Sequence, residues 1–333
     1  MTIHDQPGHL MAAEVAQAPA VFVRAVAQPV AVDLGGRRTF YTVARGSSDA
    51  AANILSYEFM RELGLPMTSL PPSVFSLGRG VDLGRAVALI VSQSGASEDL
   101  VRSARGAKAG GKLVIAITNA PASPIEAVAD ITVPIGAGPE LAVPATKTVV
   151  GAIGAGMALL GALVPDYAGR AAAAAQSVLA LNGVEHPQTA MLAAALARAQ
   201  HIYVIGRDTG YGAAQEVALK LKETCALHAE AYSSSEVLHG PLELVTKPLL
   251  VLILDTEAAE IQQSLDTAEA RFRTAGGMVH RIRPSDAGAQ ALTPAAAAAA
   301  LLILIYPVIL AVALALTLDP DRPATLSKVT QTT

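Results

Sequence analysis

What constrains this chain most is a rhythm it keeps twice. Apolar runs of four to seven residues alternate with segments long enough for a helix, the pattern of βαβ units around a parallel sheet. In the first half, strands are read at 40–44, 87–91 and 113–118, with helices over 49–63 and 97–109. In the second half, strands fall at 202–205, 249–254 and 279–282, with helices over 213–226 and 258–274. FYTVARGSS from Phe40 and IYVIGRDTG from Ile202 lie 162 positions apart, and each reads as a strand, an arginine and a small-residue turn into a helix. Gly46, Ser47 and Ser48 in one copy face Asp208, Thr209 and Gly210 in the other, the mark of a diverged duplication. The expectation is an α/β protein of two tandem halves, each a doubly wound parallel sheet flanked by helices. The expected division is an N-terminal helical segment over 1–35, a first half over 36–165, a linker over 166–190, a second half over 191–318 and a tail over 319–333. Ligands of such sheets sit beyond the carboxyl ends of strands, so the turns after Ala44, Val91, Ile205 and Leu254 are where chemistry is sought.

Composition narrows the ligand. Only 16% of the 333 residues are charged and the net charge is -4, which leaves no basic field for nucleic acid or anionic lipid. A small anion must then be held by local dipoles and a few cations. The single cysteine, Cys225, excludes an internal disulfide and a multi-cysteine metal site, and it fits a reducing, cytoplasmic setting. Residues 1–10 do not read as a signal peptide. The uncharged run 294–318 is long enough to cross a bilayer, but its alanine content, Pro307 and the lack of an aromatic belt point to a buried helix.

After the strand ending at Val91 comes Ser92-Gln93-Ser94-Gly95-Ala96-Ser97 and then a helix. Such a turn sets backbone N–H groups at the positive end of a helix, and Gly95 lets the main chain approach a ligand closely. A helix cap requires one serine. Three hydroxyls and an amide in six residues exceed that need and can surround a phosphate without a lysine. Ser47 and Ser48, at the end of the neighbouring strand, are natural second contributors.

Glu216, Lys220 and Glu223 share one helical face at i, i+4 and i+7. Periodicity alone makes this a solvated face with an ordinary ion pair. Its place after a strand-end turn holding Arg207 and Gly210 puts it instead on the ligand-facing rim. Downstream, His239 precedes Gly240-Pro241 at the end of a long polar segment, where an imidazole can serve as acid or base near neutral pH. His228 reads as a packing or hydrogen-bonding residue.

Taken in order, RGSS at Arg45, SQSGAS at Ser92, ITNAPASPI at Ile117, AGPELAVPATKT at Ala137, EVALKLKETCALHAEAYSSSEVLHGP at Glu216 and DPDRPATLSKVTQT at Asp319 span almost the whole chain. In these motifs the sequence resembles the tandem sugar isomerase (SIS) family, in particular the isomerase half of glucosamine-fructose-6-phosphate aminotransferase and the type II glucosamine-6-phosphate deaminases. The resemblance implies that Ser47, Ser48, Ser92, Gln93, Ser94 and Ser97 hold the phosphate and nearby sugar oxygens, and that Val143 contacts the sugar through its main chain. It implies that Glu223 moves a proton between C1 and C2, that His239 opens the sugar ring from a neighbouring subunit of a homodimer, and that Lys220 and Glu216 orient these groups. Lys328 would close over the site from the tail. Ala145 stands where the synthase has a serine.

The chain starts Met1-Thr2, so no glutaminase domain with an N-terminal cysteine is expected. The implied activity is metal-independent and cofactor-free deamination of glucosamine 6-phosphate, a small-molecule hexosamine phosphate. The alternatives are another phosphosugar aldose-ketose isomerase or deglycase, and a non-catalytic sugar-phosphate sensor. A sensor has no use for Glu223, His239 and Lys328 together.

Overall fold

In the computed structural model, which describes residues 6–82 and 84–328, two parallel sheets sandwich a shared layer of helices. The first sheet takes strands β1 (Phe40–Val43), β2 (Met67–Ser69), β3 (Val87–Ser92), β4 (Leu113–Thr118) and β5 (Ile131–Pro134) in the order β2-β1-β3-β4-β5. The second takes β6 (Ile202–Gly206), β7 (Ala229–Ser233), β8 (Leu250–Leu254) and β9 (Met278–Ile282) in the order β7-β6-β8-β9. The α-helices, in chain order, are α1 (His9–Ala27), α2 (Gly46–Leu63), α3 (Ser73–Ser76), α4 (Glu98–Ala109), α5 (Lys147–Leu163), α6 (Pro165–Leu179), α7 (Thr189–Arg198), α8 (Thr209–Cys225), α9 (Gln262–Thr274) and α10 (Pro294–Ala315).

The central strands are buried on both faces, which is why they read as unbroken apolar runs. Their residues nevertheless alternate between two cores. Phe40, Val87, Leu89, Ile115 and Ile117 face the shared interior, as do Ile202, Val204, Leu250 and Leu252 from the second sheet. Tyr41, Val43, Ala88 and Ile90 pack outward with α4, and Tyr203, Ile205, Val251 and Ile253 pack outward with α9. One continuous apolar core therefore joins the halves. The segment read as a linker is helical over its first half, where α6 buries Tyr167, Ala171, Ala174, Ala175 and Val178.

The uncharged run near the C-terminus forms α10, apolar all round and buried among α1, α5, α7 and α8. By length and composition α1 and α10 could each cross a membrane, but most of α10 lies inside the protein. α2 and α8 run so close that a Cβ on Gly212 would stand 2.6 Å from Ile54 Cγ1 and 2.9 Å from the Ala50 carbonyl oxygen. That contact sets the start of α8 against the first half of α2.

Both sheets repeat one topology. In each, the strand order reverses between the first strand and the one that follows the crossover, and ligands bind in the crevice at such a switch point. In the first half this crevice lies between the turns after β1 and β3. The parallel pairing of Val43 with Ile90 brings those turns side by side.

Candidate active site

The turn after β3 is shaped before any ligand arrives. Gly95 sits at φ +60°, and a Cβ there would lie 2.2 Å from Ser123 Oγ and 2.9 Å from Thr118 Oγ1, so no other residue fits. The carbonyls of Gln93 and Gly95 accept hydrogen bonds from Asn119 N (3.1 Å) and Ile125 N (3.0 Å), which occupies the oxygens that would repel an anion. The amides are less open than the sequence suggests. Gly95 N–H donates to Ser92 Oγ (3.2 Å) and Ala96 N–H to Ser94 Oγ (3.3 Å), so those two hydroxyls accept within the turn and keep their own protons for a ligand. Ser97 occupies the N-cap position of α4, yet its hydroxyl makes no capping hydrogen bond. The ordinary reason for a serine there does not apply, and its oxygen remains available. The two turns are tied together by an ion pair between Arg45 and the buried Asp99 in the first turn of α4.

Across the crevice stands the Glu-Lys-Glu face of α8. It is not the solvated face that periodicity suggests: Glu216 and Lys220 are both 0% exposed, because α2 and α10 pack over this helix. The Lys220 ammonium donates to Ser47 Oγ (2.8 Å) and Glu223 Oε2 (2.5 Å) and stands 3.4 Å from Glu216 Oε1. The Tyr306 hydroxyl on α10 donates to Glu216 Oε1 at 3.1 Å. Burial draws the Lys220 pKa down, but Glu216 and Glu223 outweigh it and hold it above its usual value, so the lysine stays charged. Burial pushes the Glu216 carboxyl up to about 7 against the pull of Lys220, and burial with the neighbouring Glu216 raises Tyr306 well above its usual value. Removing one partner from a buried pair of this kind costs about 3–5 kcal/mol. Glu223 differs from its neighbours in keeping 27% exposure, so it is the carboxylate of the trio that a substrate can reach.

Among the expected residues, Ser47, Lys220, Glu216 and Glu223 come together directly, bridging the first half to the second. Ser48 lies beside Ser47 in the first turn of α2, which starts at Gly46, three residues before the expected helix start. Ser92, Gln93, Ser94 and Ser97 line the adjoining turn.

The Val143 N–H is already taken, donating to the Asp321 carbonyl (3.1 Å), which leaves only its carbonyl open among its main-chain groups. Lys328 does not touch Lys220 or Glu223. It donates to Glu140 Oε2 (3.3 Å) and the Ala142 carbonyl (2.7 Å). The rest of the tail motif beyond Lys328, like His4, lies outside the described residues.

His239 is exposed at the end of a short 3-10 turn over Glu236–Leu238 and makes no hydrogen bond to this cluster. His228 is a correction: it is exposed and has no hydrogen-bond partner among the described residues. The serines between them serve the fold, with Ser233 and Ser235 accepting from Arg207 (2.9 and 2.6 Å) and Ser234 bonded to Ser264.

Sequence reasoning passed over Glu140 and Tyr306. Glu140 had a signal, a carboxylate just ahead of a helix start. Tyr306 had none, being one aromatic in an apolar run. Among the described residues no group of three or more His, Cys, Asp and Glu is placed to hold a metal ion. Clefts of about 620 Å³ at the second switch point and about 320 Å³ lined by Ala195, Pro248 and Met278 lie elsewhere. Charge and hydrogen bonding, rather than cleft size, mark the candidate site.

A family model described as the SIS domain matches residues 34–162 and 195–279. The glutamine-fructose-6-phosphate aminotransferase (isomerizing) of Aeropyrum pernix is 30% identical over 89% of this chain and 51% of its own length, and that of Zymomonas mobilis is 29% identical over 81% and 48%. The chain thus spans about half the length of these curated relatives. Among solved structures, one described as a candidate phosphosugar isomerase from Silicibacter pomeroyi is 33% identical, covering 94% of this chain and 99% of that one with a TM-score of 0.83. The glucosamine-6-phosphate deaminase of Thermotoga maritima shares the fold at a TM-score of 0.74 and 19% identity, with 97% and 100% covered.

Proposed function

The chain belongs to the SIS domain family, and from that premise we propose that it is a glucosamine-6-phosphate deaminase that releases ammonia and fructose 6-phosphate. The observation that carries this reading is the Lys220 hub. It joins Ser47, beside the Ser-rich turn of the first half, to the exposed carboxylate of Glu223 on the second. A phosphate held at Ser92, Ser94 and Ser97 with Ser47 and Ser48 presents the far end of the sugar to that carboxylate. Remote binding energy of this kind orients the reacting carbons.

The chemistry balances with the groups at hand. Ring opening moves the O1 proton to the ring oxygen, a task for the His239 imidazole, and its exposure suits delivery to a second copy in a homodimer. Glu223 takes the C2 proton as O1 takes one from solvent, giving a 1,2-enolamine; it then returns its proton to C1 as the nitrogen gives one up to solvent, leaving an imine at C2. Water adds to that carbon, the C–N bond breaks, and ammonia leaves with the ketose. Lys220 fixes one oxygen of Glu223, and its charge stabilises negative charge that develops on the substrate. Lys328 and the main chain of Val143 bound the site on the tail side. Each positioned acid or base contributes typically ~10²–10⁴-fold.

The test is direct. Glu223→Gln should bind glucosamine 6-phosphate with affinity within about threefold of wild type and lose turnover by ~10³-fold or more, read as ammonium and ketose phosphate release. An undiminished rate rejects the assigned base. Interconversion of glucose 6-phosphate and fructose 6-phosphate by the wild-type protein, with no ammonium released from glucosamine 6-phosphate or galactosamine 6-phosphate, selects the plain isomerase reading instead.

A further inference from the structure

Glu140 is a buried carboxylate whose two oxygens serve different parts of the molecule. Its side chain is 0% exposed. Oε1 accepts from Thr146 N and Thr148 N, both at 3.0 Å, and so caps α5. The N-cap residue of that helix, Thr146, supplies no side-chain cap of its own. Oε2 accepts from Thr148 Oγ1 (2.5 Å) and from the Lys328 ammonium (3.3 Å), which spans 188 positions of sequence.

We infer that Glu140 is a positioning residue, building the start of α5 with one oxygen and seating the tail lysine Lys328 at the mouth of the site with the other. A cap alone would require only the first oxygen. The second is matched by a frame that fixes the same stretch of chain from three further directions. Glu14 on α1 accepts from the Leu141 and Ala142 amides, the Asp321 carbonyl accepts from Val143 N, and Lys328 itself donates to the Ala142 carbonyl. Asp321 is held in turn by Leu10 N (2.9 Å) and Met11 N (2.8 Å) at the start of α1. Lys328 is thus the cation beside two buried carboxylates, Glu140, to which it donates, and Glu14 on α1. An exposed pair of this kind would hold the lysine weakly, whereas a buried carboxylate with the adjoining carbonyl gives it one place.

The inference rests on the reading of Lys328 as a site residue, and the experiment separates the two. Glu140→Gln keeps a carbonyl oxygen for Thr146 N and Thr148 N and an amide that can donate to Thr148 Oγ1, but it turns a donor toward the ammonium. The expected result is a melting temperature close to wild type, kcat for glucosamine 6-phosphate lower by ~10–10²-fold with KM moved much less, and several-fold faster labelling of Lys328 by an amine-reactive ester, read by peptide mass. In a Lys328→Met background Glu140→Gln should cause no further loss. Additive losses, or unchanged kcat and labelling in Glu140→Gln while Lys328→Met is impaired, overturn the inference alone. Wild-type turnover in Lys328→Met overturns the site reading and the inference with it. Should Glu140→Gln not fold, Glu140→Asp, which keeps the charge but withdraws it by one methylene, must show the faster labelling, and unchanged labelling overturns the inference.

Discussion

At the first switch point the turn after β3 carries Ser92, Gln93, Ser94 and Gly95. In the register that pairs Val43 with Ile90 and Ile205 with Ile253, the same places after β8 hold Asp255, Thr256, Glu257 and Ala258. The backbones remain related: Gly46 and Asp208, 162 positions apart, both have positive φ, and α2 and α8 both end on left-handed C-caps, Gly64 and Ala226, at the same spacing. The chemistry is inverted. Lys220 and Glu223 of α8 correspond to Glu58 and Arg61 of α2. The second cleft closes its charges on one another, with Arg281 and Arg283 on Asp255, Arg61 on Asp208 and Glu260, and Ser285 on Glu257. One crevice carries hydroxyls at the turn, and its twin has filled the place with carboxylates. Duplication fixes where a ligand can bind, and the side chains at the turn decide whether one does.

The largest expected effect comes from moving half-two chemistry into half one. Ser94→Asp places a carboxylate where Glu257 stands in the twin, facing a phosphate dianion. A unit charge at about 4 Å repels with roughly 4 kcal/mol at an effective dielectric constant of 20, and the phosphate carries nearly two. Calorimetric titration with fructose 6-phosphate should show affinity reduced by ~10³-fold or more. Glu257→Ser should leave it unchanged, because Asp255 still guards the second turn. Equal binding by Ser94→Asp, or weaker binding by Glu257→Ser, would break the comparison.

A second, smaller effect separates the helices. Glu58, at the position matching Lys220, is buried against Tyr167, whose hydroxyl donates to it at 2.9 Å. Burial pushes the Glu58 carboxyl up to about 7 from an ordinary value of 4.5, with Tyr167 pulling it partway back. A folded-state pKa above the unfolded one means full stability below pH 4.5 and loss as pH rises through 7. Glu58→Gln removes that titration. Between pH 5 and 8 the wild type should lose on the order of 3 kcal/mol relative to the variant, measured by denaturant unfolding. Glu216, also raised to about 7, titrates in both proteins and cancels. Parallel pH profiles would show that Glu58 is ionised in the folded state and that the inversion costs nothing.

How much of this was legible depended on burial. Central strands announce themselves because both faces are covered, and their positions agree within a residue or two of those read from apolar runs. β2, β5 and β7 were not read, and each is an edge strand. Half-exposed edges are short and polar, and β7 hides in a segment of Glu, Tyr and serines that reads as a loop. Motif residues at strand ends were legible because small and hydroxylated residues there have little packing to do. The buried ion cluster was not, since an i, i+4 pair looks the same under solvent as under α10, and only Tyr306 from 90 positions away decides the matter. Glu140 was hidden for the same reason, its lysine lying 188 positions downstream.

The smallest effect sharpens the comparison at its hinge. Asp208 takes the place of Gly46 at φ 57° and ψ -131°, a region that side chains disfavour by about 1–3 kcal/mol. Its carboxylate offsets this by accepting from Thr209 N (2.7 Å) at the helix cap and from Arg61 (2.7 Å). Asp208→Gly relieves the strain, loses a few tenths of a kcal/mol at the cap and up to about 1 for a partly exposed pair, and adds about 1 of chain entropy to the unfolded state. These terms nearly cancel, so unfolding free energy should shift by no more than about 1 kcal/mol and turnover should not change. A loss well beyond 2 kcal/mol would mean that the Asp208 carboxylate, rather than the inherited backbone, holds the second switch point closed.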